Sequence, residues 1–433
     1  MVRRSRFTTL AVRGSYDHAE SANHLGSLSE PAYLATAQHF ESAEAMRAAA
    51  AGECDAWVYS RRGNPTVGYL EATVAALEGY RVDAEVSAAV TTTGMAAVTL
   101  ATMPFLSAAA GAKPNIVASP ALYGSTVMIF NKRYGAERDV AVRWVRDPLS
   151  VSEWERCIDE DTRFLYAESP SNPMVQLVDI PALAALAGQA RIPLIIDSTL
   201  ATPALMRPLA LGADVVVQSL TKAAGASGRS MGGAVIARHD IQARAQPSEL
   251  TADFAGYLRS GPIRDMGSVL SPFNAWTLLS DIRELRGRVD TMSANALSVA
   301  QHLAASDRVA EVFYPGLPTH RSHGIAKRDM WLVDSDVNGR EAVNRFGFLL
   351  CFRPVGGVRA AREFLDRLNL IWRANNLGQV KSTATIPAIG THKQVAESGP
   401  ESAPVPADMV RLSVGLEHLD DIIADLTQAL DER

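Results

Sequence analysis

Between about residues 64 and 240, short apolar segments alternate with helical patterns, and this alternation strongly constrains the fold. Such segments are typical of strands buried on both faces of a parallel sheet. Helices are expected between them, for example over 182–190, where Asp179 can cap the helix and Pro181 suits its first turn. The predicted strands are 115–119, 140–146, 163–168, 193–197, 215–218 and 233–237. The pattern predicts an α/β fold in which helices cover both faces of a mostly parallel sheet.

The chain divides into three predicted regions. Residues 1–63 are expected to form an irregular arm with a short helical patch over 41–51, and residues 64–268 the large domain. Residues 269–433 are expected to form a smaller α+β domain, because the pattern changes there. Its predicted elements are a long helix over 273–302, strands over 346–352 and 410–414, and helices over 359–368 and 419–430. The Ala-, Pro- and Ser-containing segment 396–406 is predicted to be a mobile loop.

The composition narrows the class of protein. The 433 residues are 47% hydrophobic and 21% charged, which suits a globular protein of two or more domains. With a net charge of −5 and interspersed charges, no basic stripe indicates nucleic acid. No apolar run is long enough to span a membrane, and no apolar signal follows the basic N-terminus. Cys54, Cys157 and Cys351 lack metal-ligand spacing, so we expect a cytoplasmic protein without a metal site.

Two neighbouring predicted strands end at residues with complementary chemistry. One ends in the carboxylate of Asp197, and the other leads into Ser219, Thr221 and Lys222. The carboxyl ends of parallel strands meet at one edge of a sheet, so these residues and Glu168 are expected in one crevice. A lysine that can form a Schiff base and a carboxylate that can pair with a protonated ring nitrogen suit pyridoxal 5′-phosphate (PLP).

A second segment can supply the phosphate site of this cofactor. The residues Thr92-Thr93-Gly94-Met95 precede an Ala-rich helical run that starts at Ala96. Glycine allows close approach of the backbone, and the amides at a helix N-terminus bind anions. We therefore predict that the Gly94 and Met95 amides bind the phosphate, together with the hydroxyls of Ser219 and Thr221.

The segment Tyr59-Ser-Arg61-Arg62-Gly63-Asn64-Pro65-Thr66 is more specific. With the other motifs it makes the chain resemble the Cys/Met-metabolism family of PLP-dependent enzymes, which includes cystathionine γ-synthase, cystathionine and methionine lyases and O-acetylhomoserine sulfhydrylase. The other motifs are Thr93-Gly94-Met95-Ala-Ala, Tyr123-Gly124, Glu168-Ser-Pro-Ser-Asn172-Pro173, Asp197-Ser-Thr199-Leu-Ala-Thr-Pro203, Ser219-Leu-Thr221-Lys222, Leu270-Ser-Pro-Phe-Asn-Ala-Trp276, Tyr314-Pro-Gly-Leu-Pro318 and Arg411-Leu-Ser-Val-Gly415. The resemblance covers nearly the whole chain and implies the PLP-dependent transferase fold type I.

The resemblance also implies the roles of individual residues. Lys222 matches the Schiff-base lysine, Asp197 the partner of the ring nitrogen, and Tyr123 the aromatic residue that stacks on the ring and handles protons or the leaving group. These three are the predicted catalytic residues, and Asn172 resembles the donor to the phenolic oxygen. The predicted cofactor-binding set is completed by Gly94, Met95, Thr199, Ser219 and Thr221 of the same subunit and by Tyr59 and Arg61 of a neighbouring subunit.

The same resemblance implies the substrate contacts and the assembly. Arg411 matches the arginine that binds the substrate carboxylate, a task that suits a planar guanidinium. Asn376 and Tyr59 complete the predicted substrate-binding set. Because the arm would contribute to the neighbouring active site, we expect a homo-oligomer built from dimers with shared sites, and the resemblance implies a homotetramer.

The expected activity is PLP-dependent γ-replacement on an activated homoserine through a vinylglycine-type intermediate, with a small-molecule amino acid and a nucleophile as partners. Three alternatives stay open. One is a specialised γ-substitution with another leaving group, such as that of S-adenosylmethionine, and a carbon nucleophile. Another is a γ- or β-lyase that releases a 2-oxo acid and ammonia. The last is a PLP-binding protein without catalysis, which the presence of both Lys222 and Asp197 disfavours.

Four departures from relatives bear on the substrate. Ser125 replaces the cysteine typical of methionine γ-lyases, and Asn376 with Lys381 resembles the sulfhydrylases. In the loop after the lysine, Ser227 and Arg229 replace a usual His and Asp; Arg229 is either a surface change or a contact to a larger anionic substrate. Ile386 replaces a histidine in a loop that lines the substrate pocket of relatives, and Ile389-Gly390 replaces a polar pair. The altered pocket loops motivate the specialised alternative.

Overall fold

The computed structural model describes residues 5–431, except 55, 108–112, 245, 337–338, 340 and 390–404. Most of the predicted mobile loop, residues 396–404, therefore lies outside the described residues. Among the helices of the described part, none combines the length and the apolar character needed to span a bilayer.

A seven-stranded sheet forms the centre of the large domain. Its strands are β1 (Val86–Thr91), β2 (Asn115–Ala118), β3 (Ala141–Trp144), β4 (Thr162–Glu168), β5 (Leu194–Asp197), β6 (Val215–Gln218) and β7 (Gly233–Arg238). Their order is β1-β7-β6-β5-β4-β2-β3, and all pairings from β6 to β3 are parallel, whereas β7 is antiparallel to both of its neighbours. The six predicted strands and the mostly parallel sheet are confirmed. The sequence does not predict β1, because its alanine and serine residues have low strand propensity.

Both faces of this sheet are buried. Successive strand residues point to opposite faces, so Leu165 and Ile196 join one apolar cluster, whereas Tyr166 and Ile195 join another. The carboxyl ends of β2, β4, β5 and β6 meet at one edge, which places Glu168, Asp197 and Ser219 side by side. This edge is where ligands bind in open α/β sheets.

Helices surround the sheet, and several of them begin after a residue whose side chain caps the first turn. The helix over Ile180–Ala190 confirms the prediction for 182–190; the carboxylate of Asp179 accepts from the amide of Ala182 at 3.2 Å, and Pro181 lies in the first turn. The other helices of the large domain are Pro65–Glu78, Gly94–Thr102, Gly124–Met128, Val151–Cys157, Thr202–Leu205, Ser248–Ala252, Phe254–Leu258 and Arg264–Met266. The arm contains Phe7–Arg13, His18–Asn23 and Ala43–Ala51, of which only the last was predicted.

The C-terminal region has a sheet of its own. Its strands are β8 (Val309–Phe313), β9 (Leu349–Pro354), β10 (Trp372–Arg373), β11 (Thr383–Thr385) and β12 (Val410–Ser413), in the order β10-β11-β12-β9-β8. The helices are Pro272–Ile282, Leu285–Ala304, His323–Asp329, Gly357–Arg367 and Leu419–Leu430. The prediction of a single long helix over 273–302 is wrong. A turn at Arg283 and Glu284 interrupts the helix, so this segment forms two helices. The region boundaries after residues 63 and 268 stay predictions.

Candidate active site

A cavity of about 220 Å³ opens at the carboxyl edge of the large sheet. It brings together most of the predicted site residues, although they lie far apart in the sequence. The predicted residues that line it are Gly94, Met95, Tyr123, Asn172, Asp197, Thr199, Ser219, Thr221, Lys222 and Arg411. Glu168, Asn375, Leu377 and Met231 also line the cavity.

Lys222 follows β6 and points into this cavity. Its Nζ donates a hydrogen bond to Oδ1 of Asn376 at 2.9 Å. Burial, together with the positive charge of Arg411, lowers the pKa of Lys222 to about 8. The neutral amine is therefore accessible close to neutral pH, which is required of a lysine that acts as a nucleophile or a general base.

Asp197 stands at the end of β5 and is 9% exposed. Its Oδ1 accepts from the amide of Thr199 at 3.0 Å, and the Thr199 hydroxyl oxygen accepts from the amide of Ser219 at 2.8 Å. Burial raises the pKa of Asp197 to about 6, although the hydrogen bonds from Thr199 oppose this change. The carboxylate is thus fixed in the cavity wall, where a cationic ring nitrogen would find a partner.

The phosphate site predicted at the helix N-terminus has suitable geometry. The helix starts at Gly94, and the Thr93 hydroxyl caps it by accepting from the amide of Ala96 at 3.1 Å. Gly94 lies so close to the loop after β6 that an added Cβ would be 2.6 Å from Cβ of Ser219. This close approach leaves amides and hydroxyls facing one space, an arrangement that binds phosphate. Together with Lys222 and Asp197, the described residues fit PLP.

Arg411 provides a cation opposite the lysine. It lies on β12 and is 2% exposed. Its guanidinium donates to Oδ1 of Asn172 at 3.1 Å and to the carbonyl oxygen of Asn375 at 2.8 Å. Burial lowers the pKa of Arg411, because its charge is held away from water. Since these acceptors are neutral, an anionic ligand in the cavity would satisfy the charge.

Two predicted cofactor ligands do not lie in this cavity. Arg61 lines a separate cavity and donates to the carbonyl oxygen of Arg264 at 2.8 Å. Tyr59 is 44% exposed, and the Arg61 guanidinium lies 5.7 Å from its ring centroid. Within a single chain, neither residue is placed to bind the cofactor of its own subunit.

Several sequence departures lie in other surroundings. Arg229 is exposed and does not line the cavity, and Lys381 Nζ lies 5.2 Å from the ring centroid of Trp372. Ile386 is 1% exposed and packs in the core of the small sheet. The side chain of Asn376 contacts Lys222, and its predicted role in substrate binding stays a prediction. No role for Glu168 follows from the sequence, although this residue is expected in the crevice and is the first residue of the motif that ends in Asn172-Pro173.

The contact between Asn376 and Lys222 gives a prediction. A hydrogen bond to a charged group contributes about 1.5–3 kcal/mol, so Asn376→Ala should lower kcat at least about tenfold. Asn376→Asp should raise the pKa of Lys222, because a nearby carboxylate favours the ammonium form. The increase of kcat with pH should then occur at higher pH than in the wild type. Rate profiles over pH would test both effects, and profiles identical to that of the wild type would contradict this role of Asn376.

Comparison with known proteins identifies the chain's relatives. O-succinylhomoserine sulfhydrylase of Pseudomonas aeruginosa is 35% identical over 428 residues, covering 98% of this chain and 95% of that protein. O-acetyl-L-homoserine sulfhydrylase of Corynebacterium glutamicum is 37% identical over 437 residues, with coverages of 95% and 93%. A crystal structure of a putative O-acetylhomoserine (thiol)-lyase from Campylobacter jejuni, containing N′-pyridoxyl-lysine-5′-monophosphate, superposes with a TM-score of 0.86 at 30% identity. It covers 99% of this chain and 100% of its own.

The family evidence agrees with the geometry. The sequence model for Cys/Met metabolism PLP-dependent enzymes matches residues 8–431, which is nearly the whole chain. The fold type I prediction is confirmed by the matching structure, and the cofactor prediction by the family and by the pyridoxyl-lysine of that structure. The chain therefore belongs to the Cys/Met-metabolism family of PLP-dependent enzymes, and PLP is its cofactor.

Proposed function

We propose that this enzyme replaces the γ-substituent of an activated homoserine ester with a sulfur nucleophile. The observation that carries the proposal is a cavity lined by Lys222 together with the buried side chains of Arg411 and Asp197. Two full-length relatives named as homoserine-ester sulfhydrylases support the choice of substrate.

The residues of the cavity have distinct proposed tasks in this reaction. When bound, PLP supplies an electron sink that stabilises negative charge at the substrate α-carbon. Lys222, in its neutral form, takes the α-proton, and Arg411 holds the α-carboxylate so that this proton faces Nζ. Asp197 would keep a positive charge at the ring nitrogen of the bound cofactor. Tyr123 would stack on the ring and would exchange a proton with the leaving group or the nucleophile.

The assay compares O-acetyl-, O-succinyl- and O-phosphohomoserine, each with sulfide or cysteine. Formation of homocysteine or cystathionine supports the proposal, and absence of product from every pair would overturn it. Release of a 2-oxo acid and ammonia without an added nucleophile would instead assign the enzyme to the lyases. Control reactions without enzyme give the background rate.

The charges of the cavity predict a preference among the esters. The described lining contains two cationic side chains, Lys222 and Arg411, and both have proposed tasks. A succinyl group would bring a second carboxylate, and burial of an unpaired carboxylate is costly. We expect kcat/KM to be at least about tenfold higher for O-acetyl- than for O-succinylhomoserine. Equal or reversed values in the same assay would refute this expectation.

We infer that the active enzyme is a homo-oligomer in which Tyr59 and Arg61 reach the cofactor of a neighbouring subunit. Their positions outside their own cavity support this arrangement. Exposed apolar side chains at the cavity mouth also support it, because such patches mark interfaces. Met231 lines the cavity and is 57% exposed, and the neighbouring Phe273 and Trp276 are 55% and 41% exposed.

Mixing two inactive variants would test this inference. Lys222→Ala and Arg61→Ala should each be nearly inactive, because every active site of each homo-oligomeric variant lacks one required side chain. After unfolding and refolding together, they should regain activity, since a mixed dimer contains one site with both residues intact. No regain of activity, or a particle with the 46.4 kDa mass of one chain, would contradict the inference.

A further inference from the structure

Glu168 is a buried carboxylate in the cavity wall to which the proposed mechanism gives no task. It ends β4 directly beside Asp197 of β5, because the two residues are partners in the parallel register. The residue is 6% exposed and lines the same cavity as Lys222. A carboxylate buried next to another carboxylate is costly, so its presence calls for a physical reason.

The contacts of Glu168 supply that reason. Its Oε2 accepts from the backbone amide of Tyr123 at 2.7 Å, and the backbone amide of Asn172 also donates to its carboxyl group. Tyr123 follows β2, whereas Asn172 follows β4, so a single side chain fixes two separate segments of the cavity wall. Tyr123 is the N-cap residue of the helix Gly124–Met128. Its backbone amide therefore needs a hydrogen-bond acceptor outside the helix.

We propose that Glu168 is a positioning residue that sets the ring of Tyr123 and the side chain of Asn172 against the cofactor. The inference rests on the proposed cofactor contacts of Tyr123 and Asn172, but it does not depend on the identity of the substrate. The carboxyl group offers two acceptor oxygens to these two backbone amides. Arg411 belongs to the same arrangement, since its guanidinium donates to Oδ1 of Asn172.

The charge of the pair is consistent with a positioning task. Burial and the neighbouring carboxylate of Asp197 raise the pKa of Glu168 well above its ordinary value, although the two amides lower it. This rise in the pKa of Glu168 disfavours a second negative charge beside Asp197, which is the partner proposed for the ring nitrogen.

Glu168→Gln isolates geometry from charge. The variant is neutral and has the same shape, but its amide nitrogen cannot accept a hydrogen bond, so the two backbone amides are left with a single acceptor oxygen. We expect kcat to fall about 10- to 100-fold, as for a small displacement of groups at a reaction centre, with KM changed less than about threefold. The visible circular dichroism of the bound cofactor should change as well, because the aromatic ring above it moves.

Asp214→Asn is the matched control. Asp214 is a half-buried carboxylate next to a strand, with a pKa raised to about 6, and its Oδ2 accepts from the amide of Leu194 at 2.9 Å. It lies at the opposite edge of the sheet, where β6 begins. Asp214→Asn should lower the melting temperature but leave kcat and the cofactor dichroism unchanged.

The measurements on the holoenzyme distinguish positioning from stability alone. A changed dichroism and a lower kcat in Glu168→Gln, absent from Asp214→Asn, support the proposal. Loss of melting temperature alone, equal in both variants, would overturn it. If Glu168→Gln does not fold, Glu168→Asp retains both acceptors with a shorter side chain and should show the same spectral change. An unchanged spectrum and kcat in that variant would refute the positioning role. The dichroism needs no turnover, so its result is independent of the proposed reaction.

Discussion

Replacement of Lys222 by alanine is expected to lower kcat at least about 1000-fold and to remove the visible absorbance band of the purified protein. The amine is the proposed covalent attachment point of the cofactor and the proposed base for the α-proton. General base catalysis alone typically contributes about 100- to 10,000-fold. Its pKa of about 8 means that a substantial fraction of Lys222 is neutral near physiological pH, so its removal eliminates a functioning base.

Lys381→Ala is the control for this experiment. Lys381 is exposed and lies 5.2 Å from the ring centroid of Trp372, outside the cavity lining. Its loss removes one exposed cation–π contact, which typically contributes about 0.5–1 kcal/mol, so kcat should change by less than about threefold. Full turnover by Lys222→Ala, or retention of the wild-type absorbance band, would reject the assignment of Lys222.

The sequence predicts the large sheet well for a physical reason. Strands buried on both faces of a sheet require segments that are mostly apolar. The sequences of β4, β5 and β6 therefore carry strong local signals. The strand β1 has a weaker signal, because alanine has a low strand propensity. Its alanines become buried only in the folded protein, where β1 pairs with β7 and helices cover it. The interruption between the two helices near residue 283 is likewise hard to predict, because no Gly or Pro stands at that position in the sequence.

The site is less predictable where it depends on distant residues. The contact of Lys222 with Asn376 joins positions 154 residues apart, and that of Arg411 with Asn172 joins positions 239 apart. Periodicity and capping are local, so they indicate which strand ends meet but not which side chains touch across two sheets. The motif resemblance implies a substrate contact for Asn376, which stays a prediction, but it does not indicate the hydrogen bond between Asn376 and the lysine.

Replacement of Arg411 by lysine is expected to lower kcat/KM almost as much as replacement by glutamine, although lysine keeps the charge. A planar guanidinium can hold a carboxylate with two parallel hydrogen bonds while it still donates to Asn172 and Asn375, and an ammonium cannot. Loss of one partner from a buried charged pair costs about 2–5 kcal/mol. This range corresponds to roughly a 30- to 4000-fold loss in kcat/KM, which steady-state assays would measure.

The two variants should differ in their effect on Lys222. A positive neighbour disfavours the ammonium, so Arg411→Gln should raise the pKa of Lys222 from about 8, whereas Arg411→Lys should leave it nearly unchanged. Burial is the larger cause of the shift, so only part of it should be reversed. Amine labelling of the cofactor-free protein over pH, resolved by peptide, measures this directly. Arg373→Gln is the control, because exposed Arg373 donates to backbone carbonyls outside the cavity. If Arg411→Gln matched this control in both kcat/KM and labelling midpoint, Arg411 would bind no substrate carboxylate and exert no field on the lysine.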